Sequence, residues 1–329
     1  MKKRIAWLDN VRFILITLVV MGHFADNFAN KFDGYKSIFL FIYSFHMPLF
    51  IFISGMLHKN QRITEKCVFY VSVGFLLKII LSLSYQIIGE LQSFSLLSDL
   101  NLPWYLFAMT GFVLLTYLLR DQNKYFILII SILVACFTGY DYTVGDMFYL
   151  SRIVIFFPFY WIGSMIKIDN LLYLKRHSWK KIISLAVVIL WFILCFVFID
   201  DLYILRHLFT GRNPFSNIIF EDGPLMRLLC YGISMLVSLA VMFLVPVDYI
   251  DGFSIMGERS LHVYFWHWPV FLIFNYYFNI NIICNGGVIG KVMYLLLSIV
   301  LSILLSQKFV SYPLEWVRKL CYEKRLDKN

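Results

Sequence analysis

Apolar runs of about 17 to 25 residues, each long enough for a helix to cross the hydrocarbon of a bilayer, recur along this chain of 329 residues. They lie near 11–28, 37–57, 68–88, 103–119, 125–138, 149–166, 182–199, 225–245, 260–278 and 290–307, the fifth being the shortest. With 60% hydrophobic and only 15% charged residues, the chain has more apolar surface than one compact soluble core can hide. The expected fold is therefore all-α: a polytopic membrane protein with about ten transmembrane helices, forming a single domain over 1–329 in contact with the lipid bilayer.

The basic residues sort by connection. Lys2, Lys3 and Arg4, then Lys59, Arg62 and Lys66, then Arg120 and Lys124 fall on one side of the predicted spans. So do Lys167, Lys175, Arg176, Lys180, Lys181 and Arg259, together with a tail that includes Lys308, Arg318, Lys319, Lys324, Arg325 and Lys328. This is the larger part of the 29 Lys and Arg, and the positive-inside rule then places both termini in the cytoplasm. The net charge of +9 thus reports topology and implies no nucleic-acid partner. Asp9 and Arg12 interrupt the first run, which reads as a retained span rather than a cleaved signal. Six scattered cysteines, without C-x-x-C spacing, give neither a disulfide framework nor a zinc signature, and no metal site is expected.

Chemistry concentrates in the first span, LDNVRFILITLVVMGHFAD (Leu8 to Asp26). At about 100° per residue, the eleven positions from Arg12 to His23 bring the two to within about 20° of one face, about 16 Å apart along the axis. Asp9 falls about 40° from His23, so an acid, a cation and an imidazole share one stripe of an apolar helix. Arg12 can also reach the cytoplasmic interface by extending its chain, and His23 can also be a core histidine bonded to a neighbouring helix. Ionisable groups in spans face the protein interior and mark substrate or proton paths by default.

Further polar groups sit in later runs. SFHMPLFIFISGML places His46 and Pro48 inside the second run, where proline frees a carbonyl, and ends on Ser54 and Gly55. GERSLHVYFWHWPVF puts Ser260, Tyr264 and His267 on one helical face at spacings of four and three, with His262 off it. LPWYLFAM and FFPFYWIGSMIK read as aromatic belts at the lipid interface. Arg152 needs a partner in the sixth run, with Asp141, Asp146 or a substrate anion as candidates. The loop from about Asp200 to Gly223 carries Arg206, His207 and Arg212 and can be either an acceptor surface or an ordinary solvated connection.

Taken together these stretches resemble the acyltransferase family 3 of integral membrane proteins, in particular the stand-alone branch similar to bacterial fucose 4-O-acetylases. The resemblance runs the length of the chain. It rests on arginine, ten residues and histidine at Arg12 and His23, preceded by Asp9; on HMPLF with Ser54 and Gly55; on Trp104, Tyr105 and Leu106; on FFPFYWIG; and on Gly257, Ser260, Tyr264 and His267. It implies an O-acyltransferase, most often an O-acetyltransferase, of the bacterial inner membrane that moves an acyl group from cytoplasmic acyl-CoA to a saccharide hydroxyl. Acetyl-CoA is then a co-substrate, and no cofactor is bound permanently. By that resemblance His23 is catalytic and Arg12 lies on the path holding coenzyme A. Asp9 and Arg152 join Arg12 as candidates for the donor side, and His46, Ser260, Tyr264 and His267 for the acceptor channel. Ser260, Tyr264, His46 and His267 are the candidate donors to an oxyanion. An exporter of lipid-linked sugars would carry similar buried charges, but the sequence displays no internal repeat of the kind many transporters have.

Overall fold

The structure, a computed structural model, describes residues 5–90, 95–98 and 102–322. Among the described residues there are helices and turns and no strand. In order come α1 (Ala6–Asp26), α2 (Asp33–Tyr43), α3 (His46–Met56), α4 (Ile63–Ile87), α5 (Trp104–Leu118), α6 (Lys124–Phe137), α7 (Leu150–Met165), α8 (Ile168–Lys175) and α9 (Ser178–Val197). The short α10 (Ile199–Leu202) and α11 (Arg206–Phe209) precede α12 (Gly223–Leu244), α13 (Phe253–Glu258), α14 (Ser260–Phe278), α15 (Gly287–Leu305) and α16 (Tyr312–Tyr322).

Every predicted run is helical, as expected of an all-α polytopic membrane protein. Seven segments are long and apolar enough to cross a membrane: α1, α2 with α3, α4, Met147–Met165, α9, α12 and α15. The runs at 103–119 and 125–138 form the shorter apolar helices α5 and α6. The run at 260–278 is the 19-residue α14, whose serine, histidines and asparagine lower its apolarity. Lys2, Lys3, Arg4, Lys324, Arg325 and Lys328 lie outside the described residues. α6 illustrates how a lipid-facing helix is written: the Asn123 side chain caps it by accepting from the Tyr125 and Phe126 N–H groups. Phe126, Ile129, Ile130, Leu133 and Phe137, spaced by three and four, are exposed as apolar surface.

The chain forms two compact units. One comprises Met1–Ile42, Phe75–Phe94 and Val245–Asn329; the other comprises Tyr43–Gly74 and Ser95–Leu244. In the second unit the run expected at 37–57 is broken: the helix stops at Tyr43 and restarts at His46. Pro48 therefore sits in the first turn of α3, where its missing N–H leaves no helical bond unmade. The carbonyl of Ser44, four residues before the proline, accepts instead from the Ser234 hydroxyl of α12. Trp191 Nε1 of α9 donates to Ser44 Oγ at 2.8 Å, so the break is held from two neighbouring helices. Ser234→Ala removes a hydrogen bond to a buried carbonyl and is expected to cost about 1–3 kcal/mol. A thermal unfolding midpoint unchanged from wild type in detergent would contradict that assignment.

The aromatic run FFPFYWIG is not an interfacial belt but the core of this unit. Phe156, Phe157, Phe159, Tyr160 and Trp161 are all buried, the Tyr160 ring stacks on Phe112, and Trp161 Nε1 donates to the Lys124 carbonyl at 2.9 Å. Its last residue, Gly163, packs directly on the Phe52 carbonyl, and Gly55 packs on the Tyr160 carbonyl, so α3 and α7 touch backbone to backbone at two glycines. Lys175, placed above among the basic residues on the cytoplasmic side of the spans, is also buried. Its ammonium donates to the Met242 and Phe243 carbonyls at the end of α12, and burial lowers its pKa to about 8.

In the first unit α1 packs against α13, α14 and α15. Asn10, fully buried, ties these parts together. Its Nδ2 donates to the Pro246 and Asp248 carbonyls at 3.0 and 2.9 Å, and its Oδ1 accepts from Ser254 Oγ at 2.6 Å. Every hydrogen-bonding atom of that amide is thereby engaged in fixing the entry to α13.

Candidate active site

α13 and α14 run alongside α1 in the same direction. Gly257 lies against the Asp9 backbone, the His267 ring against His23, and Phe271 against Phe24, with the last two rings 4.6 Å apart. Ser260 and Tyr264 thus fall between the level of Asp9 and the level of His23. The stripe read from α1 and the face read from α14 meet.

At the first end Arg12 Nη1 donates to Asp9 Oδ1 at 3.2 Å, one turn apart on α1. Asp9 is buried and Arg12 half-buried, with the carboxylate bonded to one nitrogen of the guanidinium. Gly257 permits this arrangement, because a Cβ there would overlap the Asp9 carbonyl oxygen.

At the other end, His23 is half-buried and its ring centre lies 5.3 Å from that of His267 and 5.5 Å from that of Trp268. Trp268 is itself held, with Nε1 donating to the Tyr85 hydroxyl at 3.3 Å. His267 is 1% exposed. Its Nδ1 lies 3.0 Å from the Val263 carbonyl oxygen and 2.9 Å from that of Tyr264. Carbonyls only accept, so Nδ1 carries the proton and the neutral ring presents a bare lone pair at Nε2. That atom is buried and has no hydrogen-bond partner among the described residues. In this tautomer the neutral ring can only accept at Nε2, and donation from that atom to an oxyanion would need the imidazolium.

The remaining expected residues, His46 and Arg152, belong to the other unit. His46 begins α3, buried, with its ring against Tyr43 at 4.6 Å. Arg152 is buried on α7 with its guanidinium 4.6 Å above the Trp104 ring, a cation–π contact that gives the WYL motif a use beyond a belt. Asp141, a candidate partner for Arg152, accepts from the N–H and hydroxyl of Thr143 through one oxygen.

Sequence reasoning passed over Asn10, Trp268 and Gly257's steric role. Asn10 neighbours Asp9 but lies on another face, and only the bonds to residues more than 230 positions away reveal its use. Compared with known proteins, residues 5–307 match a family model described as an acyltransferase domain, acyltransferase 3. Neither a curated protein nor a solved structure matches the chain.

Proposed function

The chain belongs to the acyltransferase 3 family, and from that premise we propose that it is an O-acetyltransferase using cytoplasmic acetyl-CoA to acylate a saccharide hydroxyl, with His23 as general base. What carries the reading is the imidazole pair on α1 and α14: two rings 5.3 Å apart, one of them buried with its tautomer fixed. A sugar hydroxyl is a poor nucleophile near neutral pH, and an imidazole suits the removal of its proton.

The hydroxyl oxygen attacks the thioester carbonyl while its proton passes to His23. The tetrahedral oxyanion then collapses, the C–S bond breaks, and the thiolate leaves and recovers the proton from the imidazolium. A protonated imidazole has two N–H donors. Nε2 of His267 is a buried acceptor beside it, and it stabilises that charge as the reaction needs it. Ser260 and Tyr264, on the same face of α14, are the candidate donors to the oxyanion. Arg12 lies about 16 Å from His23 along α1, a separation of the order of a pantetheine arm. Its free N–H groups suit a phosphate of the donor.

Membranes containing the protein, given radiolabelled acetyl-CoA, test the reading. Label entering a glycan supports transfer, and movement of unmodified lipid-linked sugar without labelling would replace it with transport.

A further inference from the structure

One turn beyond His23, three polar side chains form a cluster that the acyl-transfer steps above leave unused. Asn27 follows the last residue of α1, and its N–H still donates to the His23 carbonyl at 3.2 Å. Its side chain is thus about 6 Å further along the helix axis than the imidazole. Asn27 Nδ2 donates to the Tyr294 hydroxyl of α15 at 3.3 Å and to Asn281 Oδ1 at 3.5 Å. Tyr294 in turn donates to Asn281 Oδ1 at 3.0 Å. Asn281 sits in the turn between α14 and α15, where its backbone N–H is held by Asn275 Oδ1 at 2.9 Å.

The atoms left over are informative. An amide offers two donors on nitrogen and an acceptor oxygen. Asn27 commits both donors, and Asn281 commits its oxygen twice. Asn27 Oδ1 and Asn281 Nδ2 remain without a hydrogen-bond partner among the described residues, one an acceptor and the other a donor, fixed in one cluster. Asn27 is exposed, whereas Tyr294, which organises both amides, is fully buried. The exposed side of the cluster thus offers a solute an acceptor and a donor held in place by a buried tyrosine. Adjacent hydroxyls of a pyranose match such a pair, since each hydroxyl can donate to one atom and accept from the other.

Resting on the reading of the chain as a saccharide O-acetyltransferase, we propose that Asn27, Asn281 and Tyr294 form the subsite that reads the acceptor sugar. Two neighbouring hydroxyls bind the amides, and a further hydroxyl on the same sugar, or on the one linked to it, reaches His23 one turn away. This makes the amides specificity determinants and leaves donor binding to other residues.

The test uses the full-length protein in lipid nanodiscs with radiolabelled acetyl-CoA and p-nitrophenyl glycosides of fucose, glucose, galactose and N-acetylglucosamine as probes. Asn281→Asp is isosteric and replaces the free donor with an acceptor, while Asn27→Leu removes the free acceptor. Each is expected to raise KM for the best glycoside about tenfold or more, the factor for one lost hydrogen bond of about 1.4 kcal/mol, with KM for acetyl-CoA unchanged. Monodispersity on gel filtration distinguishes this from misfolding, and Asn281→Asp keeps the test open should Asn27→Leu fail to fold. If wild-type protein transfers acetyl to a glycoside and both variants keep its KM, the subsite is wrong and the function stands. If wild-type protein acetylates none of the glycosides, the saccharide reading fails and the subsite falls with it.

Discussion

Replacing His23 with alanine is expected to lower acetyl transfer by about 10²–10⁴-fold, the range in which a positioned general base contributes. On the proposed mechanism the substitution deletes the group that would accept the hydroxyl proton but leaves the Asp9–Arg12 pair, about 16 Å away along α1, in place. The loss should therefore appear in kcat, with acetyl-CoA binding retained. His267→Phe keeps a ring of similar shape beside His23 while removing both nitrogens. It is expected to lower kcat by a smaller factor, because the imidazolium loses its neighbouring acceptor while the base itself remains. Single-turnover transfer in membranes measures both, and normal rates in His23→Ala would overturn the mechanism.

The second large effect is steric. Gly257→Ala should destabilise the first unit by about 1–3 kcal/mol, the usual cost of overpacking. The added Cβ would meet the Asp9 carbonyl oxygen and not the end of a flexible side chain. Backbone lies on both sides of that contact, and on the α1 side it is further fixed by the three hydrogen bonds of Asn10 with Pro246, Asp248 and Ser254. Relief comes only by moving α13 away from α1, which also disturbs the carboxylate that holds Arg12. A lowered unfolding midpoint together with a raised KM for acetyl-CoA is the expected outcome. A midpoint equal to that of wild type would show that α13 can shift without cost. Gly34, which has open space where its Cβ would stand, provides the matched control.

Much of the site was legible before any coordinates. Helical periodicity alone set Arg12 and His23 on one stripe and Ser260, Tyr264 and His267 on another, because side chains three, four, seven or eleven apart share a face whatever surrounds the helix. Periodicity cannot say which stripes meet. His23 and His267 are separated by 244 positions and touch only because α14 lies parallel to α1, a consequence of the approach that Gly257 allows. The reading of FFPFYWIG failed for a related reason. Aromatic residues suit both a lipid interface and a packed core, and composition carries no information on which neighbours will cover them. Pro48 was correctly taken as a disturbance in the helix. That the Ser234 hydroxyl donates to the freed carbonyl depended on the packing of α12 against α3.

The sequence by itself determined that this is a membrane-spanning helical protein, since the length of an apolar run and the cost of placing charge in lipid are local properties that any reader of the chain can weigh. It also determined the candidate groups, because few ionisable residues interrupt those runs. Only the tertiary structure decided the contact between the His23 and His267 rings, the approach of Gly257 to the Asp9 backbone and the amide cluster beyond His23. Hydrogen bonds and backbone approaches between distant helices set each of these over a few ångströms, and directional, short-range forces of that kind leave no periodic trace in the order of residues.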